Sequence, residues 1–253
     1  VTVSDDVPVV TLSGAETVVE GAAAIAGVWN LAAGADGVTP ANFTISIDGG
    51  AAQQVVPGDA IVVAGKGTLT INENQTWSFA PLGNLDNKDG VSLSFTLSAK
   101  DGDNDTSSAT HTISVTDGSG PVVSGPNGGE ITLALDDQNL ANGSTPGNPD
   151  FAQDAITFTA GSDAIGSLKF GTDLSTLSTA AGLVWSRVSD TQIIGKIGAT
   201  TVVTLDLTAN AGNTSATVKA TLNSNYTGHT ALGDDLAVLG SVKVVATDTD
   251  GDT

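Results

Sequence analysis

Polar and apolar residues alternate with a period of two through most of this chain, and that constrains the fold more than any other feature. The pattern is clean in Thr44-Ile45-Ser46-Ile47, in Thr68-Leu69-Thr70-Ile71, in Thr76-Trp77-Ser78-Phe79 and across residues 91–97 and 110–115. It recurs in Ile131-Thr132-Leu133-Ala134-Leu135, Ile156-Thr157-Phe158 and residues 202–207, 216–222 and 242–246. An extended chain sends successive side chains to opposite faces, so this pattern buries one face and wets the other. Turn residues punctuate the runs at short intervals. Asp48-Gly49-Gly50 is a hairpin signal, and Asn72 to Gln75 separates two alternating runs. Many short strands with frequent turns predict sandwiches of antiparallel sheets. Short helical turns are expected only at residues 22–26 and 174–177.

Composition agrees with an all-β reading. Gly is abundant, with 31 residues, while aromatics make up 4% of the chain, so Val, Ile, Leu and Ala must fill the cores. At 253 residues and 40% hydrophobic content, the chain can bury one large core or two ordinary ones.

An internal repeat favours two. Residues 99–106 read AKDGDNDT and residues 246–253 read ATDTDGDT. Both are A-x-D-x-D-x-D-T. A second echo pairs VSDDVPVV (3–10) with VTDGSGPVV (115–123), each a strand end, an acidic turn, a Pro and a Val-rich start. The expectation is two tandem immunoglobulin- or cadherin-like β-sandwich modules, residues 1–119 and 120–253. In the first, the acidic motif is followed by a last strand. In the second the chain stops at Thr253, so that module is expected to lack its closing strand. Residues 1–6 are expected to be a linker or the tail of a preceding module. The chain contains no Met, even at position 1, as expected of a piece of a longer or processed polypeptide.

The acids are the strongest chemical signal. Asp and Glu number 28 against 8 Lys and Arg, a net charge of −20. That balance argues against nucleic acid, whose phosphates need basic contacts. It favours cations, because so many carboxylates oppose compaction when uncompensated. With no Cys, disulfides are unavailable, and bound metal is the natural substitute in a secreted protein. Asp101-Asp103-Asp105 and Asp248-Asp250-Asp252 place carboxylates at i, i+2 and i+4, on one side of an extended segment. Calcium takes six to eight oxygens, so other segments must converge on each triplet. The candidates are Asp5, Asp6 and Glu20 in the first module and Asp117, Asp136 and Asp137 for the second, with Glu16 flanking. A site at a module junction is expected, where linker, first strand and penultimate loop meet. The triplet is not an EF-hand, which would need Gly at Thr106 and Glu at Thr112.

Other chemistry is poorly supported. His111 and His229 fall in different modules, without the clustering that a zinc site or a catalytic triad requires. Trp77 alternates with Phe79 and reads as core. Trp29 and Trp185 are candidates for stacking on a sugar. No apolar run approaches the length of a membrane span.

The residues Gly67-Thr68-Leu69-Thr70-Ile71-Asn72 and Thr76-Trp77-Ser78-Phe79-Ala80-Pro81, followed by AKDGDNDTSSATHTISVTD, resemble VCBS and bacterial cadherin-like repeats. From LALDDQNL through AITFTAGSDAIGSLKF to VKVVATDTDGDT, the second half is similar to the large repeats of type I-secreted RTX adhesins. The resemblance implies non-enzymatic, calcium-bound tandem sandwiches on the bacterial surface. They would extend a ligand-binding region for attachment and biofilm formation. Their partners would be neighbouring modules of the same adhesin, with a glycan or peptide bound through an adjacent domain. By the cadherin comparison, Asp5, Asp6, Glu20, Asp101 and Asp103 are ligand types. The Asn-Asp-Asn linker of cadherins is missing. A module that itself binds a glycan or peptide is the alternative.

Overall fold

The computed structural model describes residues 1–2, 4–228 and 237–253. The chain forms two compact units, Val1–Ser119 and Gly120–Thr253. Both are built from β-strands, and no α-helix occurs among the described residues. The architecture is that of tandem β-sandwich modules.

Unit 1 contains ten strands: β1 (Val9–Gly14), β2 (Thr17–Val19), β3 (Ile25–Ala32), β4 (Val38–Ile47), β5 (Gln53–Gln54), β6 (Ala60–Val63), β7 (Gly67–Ile71), β8 (Thr76–Pro81), β9 (Val91–Asp101) and β10 (Thr106–Thr116). One sheet has the order β1-β3-β8-β7-β6 and the other β2-β10-β9-β4-β5. The chain begins in the first sheet, where β1 is antiparallel to β3, then switches sheets after Gly14 so that β2 runs parallel to β10. Alternation decides what is buried. Leu69, Ile71, Trp77, Phe79, Leu93, Phe95, Leu97 and Ile113 point inward with no exposure, each burial contributing about 1.5–3 kcal/mol.

The Trp77 indole sits where two glycines leave room for it. A Cβ on Gly14 would fall 2.5 Å from the ring, and one on Gly27 would fall 2.4 Å from it. Trp77 Nε1 donates to the Ser13 carbonyl at 2.9 Å, which satisfies the one polar atom of the ring. The hairpin at Asp48-Gly49 has φ of 50° and 72°, the left-handed pair that a two-residue turn requires.

Unit 2 contains β11 (Val122–Val123), β12 (Phe151–Thr159), β13 (Ile165–Phe170), β14 (Leu183–Ser189), β15 (Gln192–Ile197), β16 (Thr200–Ala209), β17 (Ser215–Leu222) and β18 (Val244–Asp248). Its larger sheet has the order β11-β12-β17-β16-β15-β14, and β13 pairs with β18 in a second, two-stranded sheet. The core lies between them, around Phe158, Leu168, Phe170, Ile193 and Val218. The order of pairings follows unit 1: β11 to β12 corresponds to β1 to β3, and β12 to β17 to β16 corresponds to β3 to β8 to β7.

Four local expectations are corrected. Residues 131–135 alternate in burial, and Ile131 and Leu133 pack on the core, but they join no sheet. Strand β18 starts at Val244, two residues later than the alternation suggests. Ile25 and Ala26 open β3 and form no helical turn. Residues 174–177 form the expected turn, Leu177 N–H to the Leu174 carbonyl at 3.0 Å, but 3₁₀ turns also form at Pro126–Gly129, Asp137–Asn139 and Ala180–Gly182, where none was expected. Val1, Thr2 and Ser4 belong to no strand. Val3 and His229 lie outside the described residues.

Candidate metal centre

The first triplet occupies the β9–β10 loop. Asp101 closes β9, and its Oδ1 accepts the Asp105 N–H at 2.8 Å. Its own N–H donates to the Asp105 carbonyl at 3.1 Å. Asn104 takes the left-handed conformation that the reversal needs, with φ of 87°. The loop is thereby closed on itself, and the carboxylates of Asp103 and Asp105 are left to face other segments.

Two such segments arrive. The Asp6 carboxylate accepts the Ala35 N–H at 2.9 Å, which ties residues 5–6 to the β3–β4 loop. Gly102 lets that loop come close: a Cβ there would lie 3.1 Å from the Asp36 carbonyl oxygen. Carboxylate oxygens of Asp5, Asp103 and Asp105 all lie within 4.8 Å of one another. Two oxygens on one calcium ion stand at most about 4.6–5.2 Å apart, twice the usual metal–oxygen distance. The three carboxylates can therefore share one divalent cation.

The electrostatics describe crowding. Asp103 is pushed up to about 6, first by a hydrogen bond with Asp101, then by desolvation and the negative charges of Asp101, Asp5 and Asp36. Asp105 is raised by desolvation, then by the charges of Asp5 and Asp101. Asp101 is 2% exposed, and its Oδ2 is buried without a hydrogen-bond partner. Among the described residues, no Lys or Arg forms an ion pair with any of these five acids. A buried carboxylate oxygen that nothing donates to is costly unless a cation meets it.

The second triplet repeats this geometry. Asp248 Oδ1 accepts the Asp252 N–H at 2.7 Å, and the Asp248 N–H donates to the Asp252 carbonyl at 3.0 Å. Gly251, at the position of Asn104, has φ of 115°. Carboxylate oxygens of Asp163, Asp248 and Asp250 lie within 4.8 Å of one another, and Asp163 and Asp248 are buried.

Asp36 and Asp163 are the acids that sequence reasoning missed, and they are equivalent. Asp101 pairs with Val38 at the start of β4, and Asp248 pairs with Ile165 at the start of β13. In each case an Asp stands two residues before the paired residue. In each case the register then shifts, after Val38 in β4 and after Ile165 in β13. Pro40, which has no N–H for the ladder, lies within the first irregularity. Only the strand pairing reveals this correspondence.

The remaining predicted residues are placed as follows. Glu20 is buried, and its Oε2 accepts the Leu85 N–H at 2.7 Å. Asp117 is exposed and accepts the Gly118 N–H at 2.6 Å. Asp136 caps the short 3₁₀ turn Asp137–Asn139 by accepting the Gln138 N–H at 2.9 Å, and neither Asp136 nor Asp137 falls in a cation-sized group of acids among the described residues. Asp252 is exposed at the end of its loop.

The indoles and His111 are used inside the fold. Trp29 Nε1 donates to the carbonyls of Asn72 and Thr76, and Trp185 Nε1 donates to the Ser178 carbonyl at 2.9 Å. The Trp185 ring lies over Gly195, where a Cβ would come within 2.9 Å of it. His111 packs beside Trp77 and Phe95, with Nε2 2.9 Å from the Ala15 carbonyl oxygen.

The fold and site define a tandem all-β protein with an acidic loop cluster in each unit. Residues 5–116 match the family described as Bacterial Ig domain, which is less than half of the chain. No curated protein matches. Among solved structures, the chain is similar to a tetra-tandem repeat in the extending region of a large adhesion protein, at 13% identity over 98% of this chain and 46% of that one, with a TM-score of 0.25. It is similar to a 1.5-MDa bacterial ice-binding adhesin at 13% identity, over 87% of this chain and 65% of that one, with a TM-score of 0.26. A third is a Ca²⁺-stabilized adhesin of an Antarctic bacterium, at 13% identity over 87% and 48%, with a TM-score of 0.23. The chain thus spans between about half and two thirds of those solved chains. No helix among the described residues is long and apolar enough to cross a membrane.

Proposed function

We propose that this chain is a calcium-rigidified extender or scaffold segment of a secreted RTX-type bacterial adhesin. It supports a ligand-binding region elsewhere in the same molecule for surface attachment and biofilm formation. The observation that carries this reading is the buried, undonated Oδ2 of Asp101 beside the Asp5, Asp103 and Asp105 carboxylates. Cation-sized spacing, the absence of ion pairs to these acids among the described residues and a second loop of the same geometry support it. In unit 1, Asp5, Asp101, Asp103 and Asp105, with Asp36 at hand, would hold the ion. In unit 2, Asp163, Asp248 and Asp250 would do so.

The chemistry accounts for a switch between compartments. Extracellular modules bind calcium with a Kd of about 10⁻⁴–10⁻³ M. Cytosolic calcium would leave the acids repelling one another, and external calcium would fold the units after export. Calcium that binds only the folded state stabilises it by about 2.7 kcal/mol at a hundred times Kd. Differential scanning calorimetry tests this: the melting temperature rises with calcium concentration and drops when a chelator is added. A melt that is identical in excess chelator and in millimolar calcium would end the proposal.

A further inference from the structure

We infer that unit 1 carries a ligand site of its own, a polar hollow on the outer face of the sheet β2-β10-β9-β4-β5 that takes an uncharged saccharide. The inference goes beyond the extender reading and does not depend on bound metal.

The hollow starts from a fault in strand pairing. Val38 of β4 pairs with Asp101 of β9, and the next pair is Phe43 with Ala99. One residue of β9, Lys100, thus faces a stretch of four on β4, residues 39–42. Pro40 lies in that stretch and has no N–H to give to a ladder. Extra residues in one strand bend it out of register with its partner, and here a cavity of about 380 Å³ lies between β4 and the β9–β10 hairpin. Small-molecule clefts usually measure about 300–1,000 Å³. In unit 2 the corresponding fault is a single residue, Gly166, and Thr247 stands at the position of Lys100.

Alternation decides the lining. Phe43 and Ala99 turn into the core, so Asn42, Thr44 and Ser98 face outward. These three are half-buried and form the floor, while Lys100, Thr106 and Ser108 stand exposed at the rim. All six carry hydrogen-bonding groups, and none is a carboxylate.

The hydroxyls of this sheet face fall into two sets. Beyond the hollow they bond within the protein: Thr96 Oγ1 lies 2.8 Å from Thr110 Oγ1, Thr112 donates to Ser94 at 3.3 Å, and Ser46 donates to the Gly50 carbonyl at 2.7 Å. In the hollow, Ser98 pairs across the sheet with both Thr44 and Ser108. Among the described residues, however, none of the six side chains forms a hydrogen bond or an ion pair. Their donors and acceptors converge on one space and are available to a ligand.

The chemistry selects the occupant. Strand β9 has a neighbour on each side, so recognition falls to side chains and an extended peptide has no open edge to join there. Hydroxyls, one amide and one ammonium suit a ligand rimmed with hydroxyl groups. Asp101, Asp103 and Asp105, directly after Lys100, and a net charge of −20 turn away phosphate and carboxylate ligands. Lys100 serves as a hydrogen-bond donor to a saccharide oxygen.

The test is amide NMR of the isotope-labelled full chain, titrated with the neutral disaccharides maltose, cellobiose and lactose. At least one should give saturable shifts confined to residues 42–44, 98–100 and 106–108, with unit 2 as the internal control. Ser98→Val fills the floor and removes a hydroxyl, and Lys100→Met removes the ammonium but keeps the stem. Each should weaken binding by about tenfold, while Thr110→Val, on the same face outside the hollow, should leave it unchanged. Thermal melts would confirm that all three variants fold. Absence of saturable shifts with every one of these sugars, or shifts that Ser98→Val and Lys100→Met both leave intact, would overturn the inference. Tighter binding of digalacturonate than of the neutral sugars would overturn the assignment to an uncharged ligand.

Discussion

Asp101 holds Asp105 twice, through its carboxylate to the Asp105 N–H and through its own N–H to the Asp105 carbonyl. The same two bonds join Asp248 to Asp252. One carboxylate oxygen of Asp101 is thus consumed by loop closure, and the other, Oδ2, faces inward without a donor. The loop is shaped by its first acid and leaves the later ones for a ligand. That division of labour makes the acids differ in what their replacement should do.

Asp103 makes neither of the two loop-closing bonds between Asp101 and Asp105, so Asp103→Asn should act chiefly through charge. In excess chelator the variant should melt higher than the parent chain, because a repelling carboxylate is gone. In saturating calcium it should melt lower, because a ligand is gone. Calorimetry of both proteins under both conditions would show the crossing, and a shift of one sign in both would count against a cation at this loop.

Asp36 and Asp163 should report on their own units. Asp36→Asn should weaken calcium binding to unit 1 and leave unit 2 unchanged, and Asp163→Asn should do the reverse. Isothermal titration calorimetry on the two single variants and the double would resolve the separate contributions. Additive effects in the double variant are expected of sites that share no residue.

The pH response away from the acidic loops should come partly from Asp48. Partial burial would raise its carboxyl, but the Lys66 ammonium at 2.7 Å and the Ser94 N–H at 3.0 Å outweigh that and hold it below its ordinary value of 3.8. A lowered folded pKa means stability present above 3.8 and lost as pH falls through the folded value. The pair is well exposed, so Lys66→Met should cost under about 1 kcal/mol at neutral pH. The difference from the parent chain should shrink in acid, where the Lys66 bond to the Ser92 carbonyl remains but the ion pair does not, as urea melts at pH 7 and pH 2.5 would show.

Gly27 should be irreplaceable. A Cβ there would sit 2.1 Å from the Ser13 carbonyl oxygen and 2.4 Å from the Trp77 ring. Gly27→Ala should destabilise unit 1 by about 3 kcal/mol or more, at the upper end for overpacked cores. Trp77→Phe relieves the crowding and removes the bond to Ser13, so the double variant should recover part of the loss. Urea midpoints followed by circular dichroism would measure both.

The alternation of residues such as Thr68 to Ile71 and Thr76 to Phe79 already announced half-buried strands, because side-chain direction in an extended chain is a local property. Asp48-Gly49 announced its hairpin for the same reason, since Asp-Gly readily takes the left-handed pair of a type I′ turn. The two D-x-D-x-D-T stretches could be read as matching loops from spacing alone. What local sequence could not convey was pairing. Asp36 and Asp163 stand beside the triplets because Val38 pairs with Asp101 and Ile165 with Asp248, and nothing near either acid encodes that register. Residues 131–135 have a strand's alternation but no ladder, because hydrogen bonding across a sheet needs a partner that the local pattern does not supply. Periodicity fixed which faces would be dry. The long-range choice of neighbouring strands decided which acids meet.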